Sequence, residues 1–283
     1  MPELTSSIVT IDWLSQHLGA ENLLVLDASV PPVVPDYISI NNAENFRAIS
    51  GARRFDYDKE ICRPNSSLPH MLPDVELFQH AARQLGINRG SVIVVYDDVG
   101  IYASPRAWWM LRAMGHTQVA VLDGGLPAWV DAALPTVEKL DTEFQAGDFV
   151  ASLQADLFCD FEVVLAALDD SSCSILDARS AGRFNGTAPE PRPGIRSGHM
   201  PNALSLPFPE VLDGGVMKAV PELEEIFTGL ASADKKLITS CGSGITACIL
   251  TLAAQLAGYE KLAVYDGSWA EWGAPGKLPV VLD

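Results

Sequence analysis

The amino-acid sequence carries the same pattern twice, and this repetition constrains the fold more than any other feature. The run Leu23–Asp27 recurs as Cys173–Asp177, and Val92–Tyr96 recurs as Lys236–Ser240. Each run is short and rich in apolar and β-branched residues, which is typical of a strand buried on both faces. Helical segments alternate with these runs in both halves. The sequence therefore predicts an α/β fold of two tandem domains, each a mostly parallel sheet flanked by helices.

A polar segment separates the two predicted domains. Residues 137–155 are rich in acidic and polar side chains and show little periodicity, so we interpret them as an interdomain linker. The first domain is then expected over residues 1–136 and the second over residues 156–283. A chain of 283 residues is long enough for two domains of this size.

Composition excludes several classes of function. The net charge of −17 opposes a general affinity for nucleic acid or for an anionic membrane. No apolar stretch approaches the roughly 18 residues of a membrane span, and the start lacks a secretory pattern, so a cytoplasmic protein is expected. The cysteines are odd in number and form no CxxC or zinc-ligand spacing, which predicts reduced thiols and no metal site. They are Cys62, Cys159, Cys173, Cys241 and Cys248.

The run Cys241–Ala247, called the Cys241 loop below, is the strongest chemical signal. It follows the predicted strand Lys236–Ser240 and leads into a predicted helix over Thr246–Ala257, which is followed by a glycine. Backbone N–H groups at such a strand-to-helix junction can converge on the sulfur and favour the thiolate. The first half has Asp97 at the equivalent position. We therefore predict that only the second domain is catalytic, with one nucleophilic sulfur.

Further motifs accompany this loop in a specific order. They are Arg183–Thr187, Pro189–Arg192, Gly198–Pro201 and Tyr265–Trp269. With the Cys241 loop, they resemble the tandem-domain rhodanese family and, within it, the 3-mercaptopyruvate sulfurtransferases. The resemblance covers nearly the whole chain.

The resemblance implies a sulfur-transfer reaction. Cys241 would take the sulfur of 3-mercaptopyruvate as a persulfide and release pyruvate. The sulfur would then pass to a thiol acceptor, such as thioredoxin or a small thiol, or to cyanide. No metal and no organic cofactor are implied.

The same resemblance implies the residues that bind the donor. Arg183 and Arg192 align with the family's substrate-binding positions, and two guanidinium groups suit a carboxylate with an adjacent keto oxygen. Arg179 and Arg196 lack that alignment, so structural or surface contacts are expected for them. The remaining substrate-binding positions lie in the loop and are Gly242, Gly244, Ile245 and Thr246.

A proton relay is a further hypothesis. Transfer of sulfur leaves an enolate of pyruvate that must gain a proton, and the incoming thiol must lose one. Ser243, relayed by His70 and oriented by Asp58, could manage that proton. Alternatively, His70 caps a loop and Ser243 only donates a hydrogen bond to the persulfide.

Three other functions compete with this interpretation. Thiosulfate sulfurtransferases have basic residues inside the cysteine loop, whereas Gly242–Ala247 contains no Lys or Arg. Cysteine phosphatases use an arginine six residues after the cysteine, where this chain has Ala247. A non-enzymatic persulfide carrier or scaffold is the third alternative, although a scaffold is expected to lack the cysteine. The other four cysteines are expected to be structural, with Cys62 the one most open to oxidation.

Overall fold

The computed structural model describes residues 2–282 and divides into two compact units. The first unit comprises the residues up to Pro64, Leu72–Gln154 and Gly215–Met217. The second unit comprises Asn65–Met71, Ala155–Gly214 and the residues from Lys218 onward.

The first unit is built on a parallel sheet. Its strands are β1 (Ile8–Val9), β2 (Leu23–Asp27), β3 (Ala48–Ile49), β4 (Arg53–Arg54), β5 (Val92–Tyr96), β6 (Val119–Leu122) and β7 (Thr136–Val137). Its helices are α1 (Ile11–His17), α2 (Val75–Gln84), α3 (Ser104–Ala113) and α4 (Gly125–Asp131). The sheet order is β1-β6-β5-β2-β4, with every neighbouring pair parallel, and β3 pairs with β7 in a separate antiparallel ladder. All five residues of both β2 and β5 are buried, as their continuous apolar runs predict.

The second unit repeats this architecture. Its strands are β8 (Phe158–Cys159), β9 (Cys173–Asp177), β10 (Leu204–Ser205), β11 (Leu212–Asp213), β13 (Lys236–Ser240) and β14 (Leu262–Tyr265), while β12 (Val216–Met217) lies in the short segment grouped with the first unit. Its helices are α5 (Phe161–Ala167), α6 (Ala181–Phe184), α7 (Val220–Thr228), α8 (Ala247–Leu256) and α9 (Ser268–Trp272). Two 3₁₀ turns cover Ala155–Leu157 and Phe208–Val211. The sheet order is β10-β9-β13-β14-β8, again with every neighbouring pair parallel.

The two sheets have the same strand order when the second is written from β8. The sequence β8-β14-β13-β9-β10 then matches β1-β6-β5-β2-β4 strand for strand. Each unit also has a buried tryptophan whose indole N–H donates to a proline carbonyl. Trp129 donates to Pro135 in the first unit, and Trp272 donates to Pro279 in the second. The predicted fold class, two α/β domains with mostly parallel sheets, is confirmed.

The polar segment after the first sheet is tied to the first unit by backbone hydrogen bonds. The N–H of Gly147 donates to the carbonyl of Arg83, and the N–H of Gln154 donates to the carbonyl of Ala113. The segment predicted as a linker, residues 137–155, therefore belongs to the first unit as far as Gln154. The domain limits 1–136 and 156–283 stay predictions.

Asp97 occupies a cradle of N–H groups at the carboxyl end of β5. Its side chain is fully buried, and its Oδ2 accepts hydrogen bonds from the backbone N–H groups of Tyr102, Ala103 and Ser104 at 2.8–3.0 Å. The Ser104 hydroxyl donates to the same oxygen at 2.7 Å, and the N–H of Val99 donates to Oδ1 at 3.1 Å. In the first unit, a carboxylate therefore fills the position that a cysteine holds in the second.

Replacing Asp97 with alanine is expected to destabilise the protein strongly. The change leaves four backbone N–H groups and one hydroxyl without their acceptor. A buried group without a partner costs about 1–3 kcal/mol, and less where water enters the space that the side chain leaves. We expect the free energy of unfolding, measured by urea denaturation, to fall by about 3–5 kcal/mol. Asp97→Asn keeps an acceptor oxygen and serves as the matched control, with a smaller loss expected. A loss below about 1 kcal/mol for Asp97→Ala would show that the cradle is not a source of stability.

Candidate active site

Cys241 lies directly after β13, at the carboxyl end of the second parallel sheet, where ligands bind in most sheets of this type. The residue is 1% exposed, and the backbone N–H of Gly244 donates to its Sγ at 3.1 Å. Gly244 has φ +80°, a left-handed conformation that side chains disfavour, so glycine suits the turn that brings this N–H to the sulfur. The loop thus presents one backbone donor to the thiol.

The start of α9 holds the Cys241 loop in place. The hydroxyl of Ser268 accepts from the N–H of Cys241 at 3.2 Å and donates to the carbonyl of Tyr265 at 2.8 Å. The N–H of Trp269 donates to the carbonyl of Cys241, and the N–H of Ala270 donates to that of Gly242, both at 2.9 Å. Three backbone groups of the loop are therefore fixed by Ser268, Trp269 and Ala270. The first two belong to the motif Tyr265–Trp269, to which the sequence analysis gave no role.

The helix that follows the loop agrees closely with its prediction. It runs over Ala247–Leu256, one residue shorter at each end than predicted, with Thr246 as its N-cap residue. Gly258 follows at φ +86°, which matches the predicted glycine stop. Ser243, Ile245 and Thr246 are all buried.

Two predicted arginines lie beside Gly242. A β-carbon built on that glycine would stand 3.1 Å from Nη2 of Arg183 and 3.8 Å from Nη1 of Arg192. Both guanidinium groups therefore lie against the residue that follows Cys241. Two donors of this shape can receive a carboxylate through paired hydrogen bonds.

Arg183 is held by an acid that the sequence analysis did not single out. Nε of Arg183 lies 3.2 Å from both carboxylate oxygens of Glu190, and Nη2 lies 2.5 Å from Oε2. These contacts use one edge of the guanidinium, so the N–H groups of Nη1 remain for another acceptor.

Arg179 anchors the same acid from the other side. Its side chain is fully buried, contacts Asp177 and Glu190 at 2.7 Å each, and lies 4.0 Å over the ring of Trp269. Burial by itself lowers the pKa of Arg179, but the carboxylates of Asp177 and Glu190 outweigh it and raise the pKa above its ordinary value. The expected structural role of Arg179 thus takes the form of a buried ion-pair network.

Arg192 differs from the other two arginines in having no acidic partner. It makes no hydrogen bond and no ion pair with any residue that the structure describes. We call the set of Asp177, Arg179, Arg183, Glu190 and Arg192 the arginine network. With three arginines and two acids, it carries one positive charge in excess.

The proposed relay residues fall in different units. His70 lies in the segment grouped with the second unit, which also contains Ser243, while Asp58 belongs to the first unit. His70 has φ +58°, a conformation that few side chains adopt. The backbone N–H of Asp58 donates to a carboxylate oxygen of Asp56. The relay of Ser243, His70 and Asp58 stays a prediction.

Two of the other cysteines have raised thiol pKa values. Burial raises the pKa of the Cys159 thiol to about 12. For Cys62, partial burial raises the pKa, and the nearby Asp58 and Asp56 raise it further. Both thiols are therefore protonated at neutral pH. A third cysteine, Cys248, donates its S–H to the carbonyl of Gly244 at 3.3 Å.

Among residues 2–282, no group of three or more His, Cys, Asp or Glu side chains is arranged to hold a metal ion. The same residues contain no helix that is both long and apolar enough to cross a membrane.

Comparison with protein families gives a match over most of the chain. The model of the rhodanese-like domain matches twice, over residues 10–132 and 160–275. The 3-mercaptopyruvate sulfurtransferase of Escherichia coli K12 is 39% identical over 279 residues, which cover 98% of each chain. The human 3-mercaptopyruvate sulfurtransferase is 37% identical, covering 96% of this chain and 93% of its own. A thiosulfate sulfurtransferase from Gallus gallus is also 37% identical, covering 95% and 94%.

Solved structures give the same result. The crystal structure of SseA from Escherichia coli, described as a 3-mercaptopyruvate sulfotransferase with the rhodanese fold, superposes with a TM-score of 0.82. It is 36% identical in sequence, and the match covers 94% of this chain and 99% of SseA.

Proposed function

The chain belongs to the rhodanese-like family, and from that membership we infer that it is a sulfurtransferase that takes its sulfur from 3-mercaptopyruvate. Several relatives that carry this name match over nearly their whole length. The duplicated sheets and the single cysteine loop are consistent with one active site per chain.

The placement of Arg183 and Arg192 carries this proposal. Their guanidinium nitrogens lie 3.1 Å and 3.8 Å from the position of a β-carbon on Gly242, the neighbour of Cys241. Counted without the Cys241 thiolate, the arginine network has one positive charge in excess, and this charge can pair with the carboxylate of mercaptopyruvate. We propose that Arg192 and the Nη1 side of Arg183 bind that carboxylate and the adjacent keto oxygen.

The chemistry proposed for Cys241 follows from this placement. Its thiolate attacks the donor sulfur, so that an S–S bond forms and the C–S bond of mercaptopyruvate breaks. The electron pair of the broken bond goes to the enolate of pyruvate, which gains a proton to become pyruvate. Ser243, His70 and Asp58 are proposed to supply that proton. The N–H of Gly244, 3.1 Å from Sγ, donates a hydrogen bond to the attacking sulfur and holds it in place.

The second half of the reaction restores the thiol. An acceptor thiolate attacks the outer sulfur of the Cys241 persulfide, takes that sulfur, and leaves Cys241 as a thiolate. Thioredoxin, small thiols and cyanide are the acceptors that we propose. The five free cysteines fit a reducing compartment, which supports a cytoplasmic location.

Thiosulfate is the competing donor, and the similarity of the Gallus gallus enzyme makes it a serious alternative. Thiosulfate carries two negative charges, whereas residues 242–247 contain no Lys or Arg. The arginine network carries only one net positive charge. The positive charge of the site would therefore neutralise only part of the charge of a dianion bound against the sulfur.

Steady-state kinetics with both donors test the proposal. With cyanide as a common acceptor, we expect kcat/KM for 3-mercaptopyruvate to exceed that for thiosulfate by about tenfold or more, equivalent to at least 1.4 kcal/mol. A higher kcat/KM for thiosulfate would establish the thiosulfate alternative. An absence of turnover with either donor by folded protein would favour a carrier or scaffold.

A further inference from the structure

Glu190 is a buried acid within the arginine network, and the proposed sulfur-transfer steps do not use it. Its side chain is 4% exposed and contacts Arg179 at 2.7 Å and Arg183 at 2.5 Å. Arg179 already has a carboxylate partner in Asp177, also at 2.7 Å. The negative charge of Glu190 therefore mainly neutralises the positive charge of Arg183, an arginine proposed to bind the donor.

This acid determines the charge that a donor meets. With Glu190 ionised, the arginine network carries one excess positive charge, and with a neutral residue in its place it would carry two. The Coulomb energy of a bound anion scales with its own charge, so each added positive charge favours a dianion more than a monoanion. Because the charged side chains of the arginine network are partly buried, solvent does not fully screen their interaction with a bound anion.

The same contacts fix the orientation of Arg183. Glu190 receives Nε and Nη2, which leaves Nη1 as the free end of the guanidinium. Glu190 is itself fixed by Arg179, whose guanidinium lies over Trp269 and also donates to the carbonyl of Gly198. The carboxylate thus has one defined position from which to hold Arg183.

We propose that the charge of Glu190 determines donor specificity, because it keeps the site's positive charge too low to favour a dianion. By holding Arg183 in place, the same side chain supports the binding of either donor. This inference rests on the proposed function, because it concerns the choice between 3-mercaptopyruvate and thiosulfate. Glu190 acts through Arg183 and is a positioning residue.

The test uses Glu190→Gln, which keeps the shape and one acceptor oxygen but removes the charge. The readout is the ratio of kcat/KM for thiosulfate to kcat/KM for 3-mercaptopyruvate, measured at low ionic strength. We expect this ratio to rise about tenfold over the wild type, since one unit of charge near a site changes anion binding by that order. The rise should shrink as salt is added.

Two further variants separate charge from position. Glu190→Asp keeps the charge but shortens the side chain, so KM for both donors should rise while their ratio stays within about twofold of the wild type. Glu260→Gln removes the same charge from an exposed residue of the second unit and should leave the ratio unchanged. An unmoved ratio in folded Glu190→Gln, or an equal shift in Glu260→Gln, would overturn the inference.

The outcomes also separate this inference from the proposed function. A wild type that prefers thiosulfate would refute the proposed function itself. A wild type that prefers 3-mercaptopyruvate, with no change in Glu190→Gln, would refute the role of Glu190 alone. If Glu190→Gln does not fold, Glu190→Asp provides the test. A raised KM for both donors, with the ratio of their kcat/KM values unchanged, would support the inference. A shift of that ratio towards thiosulfate, with the charge retained, would contradict it.

Discussion

Replacing Cys241 with serine is expected to lower kcat/KM for sulfur transfer by about 10⁴-fold or more, the scale of losing a catalytic nucleophile. The serine hydroxyl is un-ionised at neutral pH, and without a sulfur atom the side chain cannot form a persulfide. The rate of pyruvate release from 3-mercaptopyruvate measures this loss directly. Cys159 and Cys62 are not expected to replace Cys241, because the pKa values of both thiols are raised.

The fold of this variant is expected to be intact. Serine is smaller than cysteine, and Gly244 can still donate its N–H to the side-chain oxygen. Cys173→Ser is the matched control, because Cys173 begins β9 at the amino end of the sheet, opposite to the Cys241 loop. The control should keep wild-type activity. More than about 1% residual activity in a homogeneous Cys241→Ser sample would contradict the nucleophilic role.

Replacing Arg192 with alanine is expected to raise KM for 3-mercaptopyruvate by about 10- to 100-fold, which corresponds to the roughly 1.5–3 kcal/mol of a hydrogen bond to a charged group. Arg192 gives a cleaner test than Arg183. Its removal deprives no described acid of a partner, whereas removal of Arg183 would leave Glu190 with Arg179 alone. Steady-state kinetics measure KM and kcat, and kcat is expected to change by only a few-fold because the contact forms before the chemical step.

Two measurements control this prediction. Arg192→Lys keeps the charge but loses the paired geometry, so its KM should lie between those of the wild type and Arg192→Ala. The thermal midpoint of Arg192→Ala should stay close to that of the wild type, because the side chain bonds to no described residue. An unchanged KM would remove Arg192 from the donor site.

Local sequence patterns were sufficient to predict the sheets and the Cys241 loop. The strands β2 and β5 are buried throughout, β9 and β13 are buried over most of their length, and such short runs rich in apolar and β-branched residues have few alternatives within a duplicated α/β chain. The ends of α8 were predicted to within one residue, since a glycine marks its end. The resemblance to the rhodanese family supplied the two arginines that lie beside Gly242.

The residues that support the site were beyond the reach of sequence reasoning. Glu190 has four arginines within eleven positions, namely Arg179, Arg183, Arg192 and Arg196. Which of them it pairs with depends on the path of an irregular loop, which no periodicity encodes. Ser268 bonds to Cys241 only because β14 lies beside β13, so that the start of α9 reaches the loop. Such contacts follow from tertiary packing, and residue spacing carries no signal for them.

Mass spectrometry of the treated protein tests the central claim most directly. After incubation with 3-mercaptopyruvate in the absence of an acceptor, the peptide that contains Cys241 should gain about 32 Da, the mass of one sulfur atom. The added mass should disappear when a thiol acceptor is supplied, with no adduct on the other four cysteines. Turnover without any adduct on Cys241, or with the sulfur found on another cysteine, would contradict the account.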